Sequence, residues 1–146
     1  MPPAVVLAVS GALMWFVAIA LPALDLDFPA RHEVMMGAIA AALIVGVAAL
    51  AGFRRARTTV NPMTPQASST LVTGGIYRVT RNPMYLAMLI LLAGWSYVVA
   101  NGAALAMLPL FVAYLNRFQI QPEERALAAR FGAGFEHYRA SVRRWL

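Results

Sequence analysis

The sequence predicts an all-α integral membrane protein: four transmembrane helices arranged as two hairpins, followed by a C-terminal cytoplasmic amphipathic helix. Three observations predict it. Of 146 residues, 61% are hydrophobic and only 12% charged, against roughly half and a quarter in soluble domains, and the mean hydropathy is +0.67. The apolar residues come in four long blocks, which is how a membrane protein distributes them. The charged residues, twelve arginines without a lysine against six acids, lie between and after those blocks, where charges set topology.

The first block, about 4–24, is broken only by Ser10, Gly11 and Pro22, and the second covers about 34–53. Each reaches roughly 30 Å, enough to cross a hydrocarbon core. The third, about 84–100, follows Pro83, and the fourth, about 103–118, carries Pro109 inside it. Both are shorter, at roughly 25 Å. Only Asn101-Gly102 joins them, so they make a tight antiparallel hairpin. The N-terminus has no basic region ahead of its apolar run, and that run is too long for a signal peptide, so it is read as a retained span. One membrane domain over 1–146 follows.

Arginine placement gives the orientation. The first loop holds Asp25, Asp27, Arg31 and Glu33 and is net acidic; the segment before the third span holds Arg54, Arg55, Arg57, Arg78 and Arg81 and no acid. The tail holds six more arginines against Glu123, Glu124 and Glu136. Both basic segments, and with them both termini, face the cytoplasm under the positive-inside rule. The compact form and arginine-only basic residues suit a bacterial inner membrane.

Composition also excludes function classes. Without cysteine there is no disulfide, thiolate nucleophile or cysteine metal site, and His32 and His137 stand too far apart in the chain to suggest a metal centre. No ionisable residue lies in the middle of a span, which argues against ion-coupled transport. The basic excess sits beside hydrophobic blocks, so lipid explains it better than nucleic acid.

Two polar clusters remain, 71–85 and 117–146. Each has a structural reading. Asn82-Pro83 suits a helix start, with asparagine as N-cap and proline at the first helical position. Pro122-Glu123-Glu124 opens another helix, its acids complementing the dipole. From there Leu127, Phe131, Phe135, Tyr138, Val142 and Trp145 form an amphipathic stripe that lies on the membrane surface or against the bundle.

The combination carries more than its parts. Thr58-Thr59-Val60-Asn61-Pro62, Leu71 to Arg78, Arg81-Asn82-Pro83-Met84-Tyr85-Leu86, Glu123-Glu124, Phe131-Gly132 and Tyr138-Arg139 together resemble the isoprenylcysteine carboxyl methyltransferase and phospholipid methyltransferase superfamily. The likeness covers about residues 54–146, and it implies a membrane enzyme that moves a methyl group from S-adenosylmethionine to a lipid or isoprenoid acceptor bearing a carboxylate, amine or thiol. It implies a cofactor pocket with Tyr77, Arg81, Asn82, Pro83 and Tyr85 on one wall and Glu123, Glu124, Tyr138 and Arg139 on the other. The physics agrees, since the cofactor's cationic groups want carboxylates and its carboxylate wants arginine. A carboxylate acceptor needs a positive anchor, for which Arg117 and Arg81 are the candidates, whereas an amine acceptor needs a base such as Glu123 or Glu124. Many family members carry histidine at the position of Asn82, and asparagine cannot shuttle a proton at neutral pH. Two further readings are an NADPH-dependent membrane reductase of related fold and a non-enzymatic scaffold.

Overall fold

The computed structural model of the chain describes residues 1–56 and 70–146; the Thr58–Pro62 motif lies outside them. Helix α1, Pro3–Ala20, opens on proline, which is pre-set for a first helical turn. Helix α2 is Arg31–Arg55, with Glu33 in its first turn and Arg54 and Arg55 in its last, each opposing the dipole end beside it. Helix α3 is Pro83–Val99. Helix α4, Gly102–Leu115, runs through Pro109 and a π-helical turn, Asn116–Ile120, into α5, Gln121–Phe131. Helix α6 is Ala133–Ser141.

Three helical runs, Pro3–Ala20, Arg31–Arg55 and the unbroken Gly102–Phe131, are long and apolar enough to cross a membrane, and Pro83–Val99 is a shorter apolar helix. Phe16, Ile19, Leu43, Ile44, Val47 and Leu110 point outward, each more than 60% exposed. Apolar surface on that scale needs lipid as its solvent, consistent with an integral membrane protein. Each of the four expected apolar blocks is helical, its ends moved by a few residues.

Helix α3 is the centre of the bundle: α2 packs along one side, and α1 and α4 pack on α3 and on each other. Gly94 permits the α2–α3 approach, because a Cβ there would lie 2.5 Å from Ala38 Cβ. Gly94→Ala is therefore expected to push the helices apart and lower stability by about 1–3 kcal/mol, read by thermal unfolding in detergent.

The loop end of the bundle is tied by Asn101, which is fully buried. Its Oδ1 accepts from the amides of Ala103 and Ala104 at 3.0 and 3.4 Å, capping α4. Its Nδ2 donates to Leu21 O at 2.9 Å and to Asp25 Oδ1 at 2.8 Å, and Leu26 N–H donates to Ala100 O at 2.7 Å. Asn101→Ala removes the cap and leaves the amides of Ala103 and Ala104 without their acceptor, so a loss of about 2–3 kcal/mol is expected on thermal unfolding. At the other end Gln119 Nε2 donates to Met1 O at 2.8 Å, so α1 and α4 run antiparallel.

The single amphipathic C-terminal helix expected from the sequence is replaced by two helices. Pro122 has no N–H to offer the Phe118 carbonyl, and the π turn accommodates the mismatch. Gly132, at φ +51°, then ends α5 in a conformation that disfavours side chains. The apolar stripe turns to the bundle: Leu127, Phe131, Phe135, Tyr138 and Val142 pack with Ala49, Phe53 and Tyr77.

Candidate active site

The site is built at the end of the bundle where α3 begins. Gly75, at φ +62°, opens a tight 3₁₀ turn, Gly75–Arg78, that delivers Tyr77 to the interior. The Tyr77 ring meets Phe53 edge-on at 5.5 Å. Its carbonyl accepts from Tyr138 Oη at 2.7 Å, locking α6 onto this loop. Burial pushes the Tyr77 phenol well above its ordinary value. Burial also pushes Tyr138 up to about 12, against the pull of the Arg81 charge. Both tyrosines therefore stay neutral and act as hydrogen-bonding groups.

Arg81 is the hub. Its Nη1 donates to the carbonyls of Arg139 at 2.8 Å and Val142 at 3.2 Å, and its Nη2 to Glu124 Oε1 at 2.8 Å. Its amide donates to Arg143 O at 3.0 Å. Glu124 is also held by Arg144, whose Nε and Nη2 reach Oε1 and Oε2 at 3.1 and 2.7 Å. Arg81 and Glu124 side chains are only 10% and 13% exposed, so these charges are matched in a drier setting than any surface pair. Arg81 Nε is buried without a partner among the described residues.

Residues 142–145 fold back as a strap across this loop. The Arg144 carbonyl accepts from Asn82 Nδ2 at 2.9 Å and Thr80 Oγ1 at 3.3 Å. Trp145 Nε1 donates to Asn116 Oδ1 at 3.1 Å, which ties the strap to the π turn. Asn82 thus sits just before Pro83, where an N-cap belongs, but its side chain makes no capping bond to α3; its amide is directed at Arg144 instead.

Glu123 faces the bundle. Tyr85, on the first turn of α3, donates its hydroxyl to Glu123 Oε1. The helical column Gly102–Phe131 is 30 residues long, about 45 Å against a hydrocarbon core of roughly 30 Å, so Glu123 lies past the span at its polar end. Burial raises the Glu123 carboxyl from 4.5 to about 7; the Tyr85 bond opposes this and the Glu124 charge adds to it. A carboxyl in that range exchanges a proton near neutral pH.

The structure brings Tyr77, Arg81, Asn82, Pro83, Tyr85, Glu123, Glu124 and Tyr138 into one neighbourhood. Arg139 shares its backbone carbonyl with Arg81, while its exposed side chain pairs with Glu136 at 3.5 Å. With Gln121, Glu124 and Arg125 that side chain also lines a cleft of about 280 Å³ between α5 and α6. Arg117 stands apart, exposed on the π turn, with no ion pair among the described residues. Sequence reasoning did not place Thr80 and Arg144 in the site and read Trp145 only as part of an amphipathic stripe; their contacts here span 20 to 64 residues along the chain and leave no periodic trace.

The family model described as phospholipid methyltransferase matches residues 30–134. An uncharacterized protein of Haemophilus influenzae is 38% identical over 63 residues, which are 43% of this chain and the whole of that protein. No solved structure matches. The matched stretch holds α2 to α5, the Arg81 hub and both glutamates, and on that match the chain belongs to the phospholipid methyltransferase family of membrane methyltransferases.

Proposed function

We propose that the chain transfers a methyl group from S-adenosylmethionine to an amine carried by a membrane lipid, with Glu123 as the base. The observation that carries this reading is the half-buried Glu123 carboxyl, held by Tyr85 where the apolar bundle meets the polar cleft. The residues present fit the cofactor. Glu124, Gln121, Arg125 and Arg139 set carboxylate, amide and guanidinium groups around one cleft, matching a ligand end that bears both an ammonium and a carboxylate. Arg81, which holds the Glu124 of that cleft, keeps a buried Nε with a hydrogen bond left to give. When bound, the cofactor supplies an electrophilic methyl on a sulfonium.

The chain's own groups do the rest. Glu123 takes the acceptor's ammonium proton at its carboxylate. The amine lone pair thus exposed would be the nucleophile toward the methyl that the bound cofactor would supply. Catalysis beyond this is positioning and exclusion of water. A carboxylate acceptor is less well served, because Arg81 is engaged by Glu124 and two carbonyls and Arg117 is exposed. No observation favours the reductase or the scaffold. The arginine bias supports a site and both termini on the cytoplasmic side.

The test is transfer of a labelled methyl group in nanodiscs to an amine-headed phospholipid, beside a fatty acid and an isoprenoid acid, with calorimetric binding of S-adenosylmethionine to the same preparation. Transfer to the amine should rise as the pH passes through about 7. Transfer to the acids alone, flat across that range, would sink the amine and the base. Absence of cofactor binding in both detergent and nanodiscs would sink the whole reading.

A further inference from the structure

Glu124 meets the cleft between α5 and α6 with two cations already on it. Its Oε1 accepts from Arg81 Nη2 at 2.8 Å and from Arg144 Nε at 3.1 Å, and its Oε2 accepts from Arg144 Nη2 at 2.7 Å. Arg125 and Arg139 line the same cleft. A ligand's ammonium group brought to Glu124 would therefore meet like charges at close range, in a setting where water screens them poorly.

The two arginines on Glu124 are held differently. Arg81 is 10% exposed and also donates to Arg139 O and Val142 O, so it cannot leave without unfastening the strap. Arg144 is 34% exposed, and among the described residues its side chain bonds to Glu124 alone. The strap does not depend on that side chain. Val142 O, Arg143 O and Arg144 O accept from Arg81 Nη1, the Arg81 amide and Asn82 Nδ2, and Trp145 Nε1 donates to Asn116 Oδ1. Each of these bonds survives if the Arg144 guanidinium swings into water on its flexible stem.

The work of that guanidinium is electrostatic. With Arg81 alone, Oε2 of a largely buried carboxylate would have no donor, a costly state. Arg144 supplies the donor, and a ligand's ammonium group can supply it equally well.

We propose that Arg144 is an exchangeable counter-ion of Glu124, an internal competitor that a ligand's ammonium group displaces on entering the cleft. The inference rests on the methyltransferase reading above and adds to it the residue that sets affinity and selectivity at the cofactor end. A ligand that carries an ammonium group makes the exchange, and one that lacks it leaves Arg144 in place. One cation replaces another, so the carboxylate is never left bare, and the strap's backbone does not move.

The full chain in nanodiscs is titrated calorimetrically with S-adenosylhomocysteine, which bears the ammonium group, and with methylthioadenosine, which does not. A competing internal contact lowers apparent affinity by the fraction of time it is closed. In Arg144→Gln, S-adenosylhomocysteine should therefore bind about tenfold more tightly than in the wild type, and methylthioadenosine equally in both. A second readout needs no variant. Wild-type arginines are modified with phenylglyoxal and located by mass spectrometry, with and without each ligand. Saturating S-adenosylhomocysteine should raise modification of Arg144 at least several-fold and leave its exposed neighbour Arg143 unchanged, and methylthioadenosine should alter neither. Weaker binding of S-adenosylhomocysteine in Arg144→Gln, or protection of Arg144 on saturation, would make that side chain a clasp on the ligand and overturn the proposal. Binding that ignores the substitution would overturn it and leave the enzyme standing. Absence of binding by either ligand, in wild type and variant alike, would sink the methyltransferase reading and the exchange with it.

Discussion

Glu123→Gln is expected to lower methyl transfer by about 10²-fold or more, the usual worth of a positioned base, and at the same time to stabilise the protein at alkaline pH. Glutamine keeps the shape and still accepts from Tyr85, but it cannot take a proton. The stability effect follows from the raised carboxyl. It titrates near 4.5 when unfolded and about 7 when folded, so between those values the folded chain binds more proton than the unfolded one. Stability from this group is then full below about 4.5 and is lost as the pH climbs through 7. At pH 8 the buried carboxylate costs about 3 kcal/mol, a cost the glutamine variant escapes. Thermal unfolding should therefore show Glu123→Gln above the wild type at about pH 8 and level with it near pH 4. A variant that loses activity and stability together at pH 8 would contradict this account.

Arg81→Ala is expected to be the most damaging single change to the fold near the site. It removes the donors to Arg139 O, Val142 O and Glu124 and leaves a largely buried carboxylate with Arg144 as its remaining partner. Losing one member of a buried charge cluster costs about 3–5 kcal/mol. Arg144→Ala should cost clearly less, because that side chain is 34% exposed and water can replace it. Unfolding midpoints of the two variants, measured in one detergent, order them. Equal losses would mean that Arg81 is not the hub.

The parts legible in the sequence are those set by local pattern. Four long apolar blocks, proline at the start of α3 and Asn101-Gly102 between α3 and α4 placed four helices and a tight hairpin, because each signal lies within a few residues of its effect. Motif order along 71–85 and 117–139 likewise named residues most of which the fold brings together. The losses came where distant segments compete for one group. Asn82 has the chemistry of an N-cap, yet the Arg144 carbonyl, 62 residues on, takes its amide. Arg81 reads equally well as a ligand for a carboxylate, and in the fold it is the anchor of a strap. The stripe from Leu127 to Trp145 has helical periodicity throughout, yet the backbone breaks it at Gly132 and again at Val142, where the strap begins.

The strap has a consequence for how the protein comes into being at the ribosome. When synthesis has passed Arg139, each residue assigned to the proposed cofactor pocket has been made, and the helices of the bundle can enter the membrane. Arg81 still lacks Val142 O and Arg143 O, Glu124 lacks its second arginine, and the π turn lacks Trp145. The neighbourhood closes only when residues 142–145 emerge, so insertion and competence are separate events. A released chain ending at residue 140 and the released chain of 146 residues should resist protease alike in their spans, and differ at the loop around residue 80.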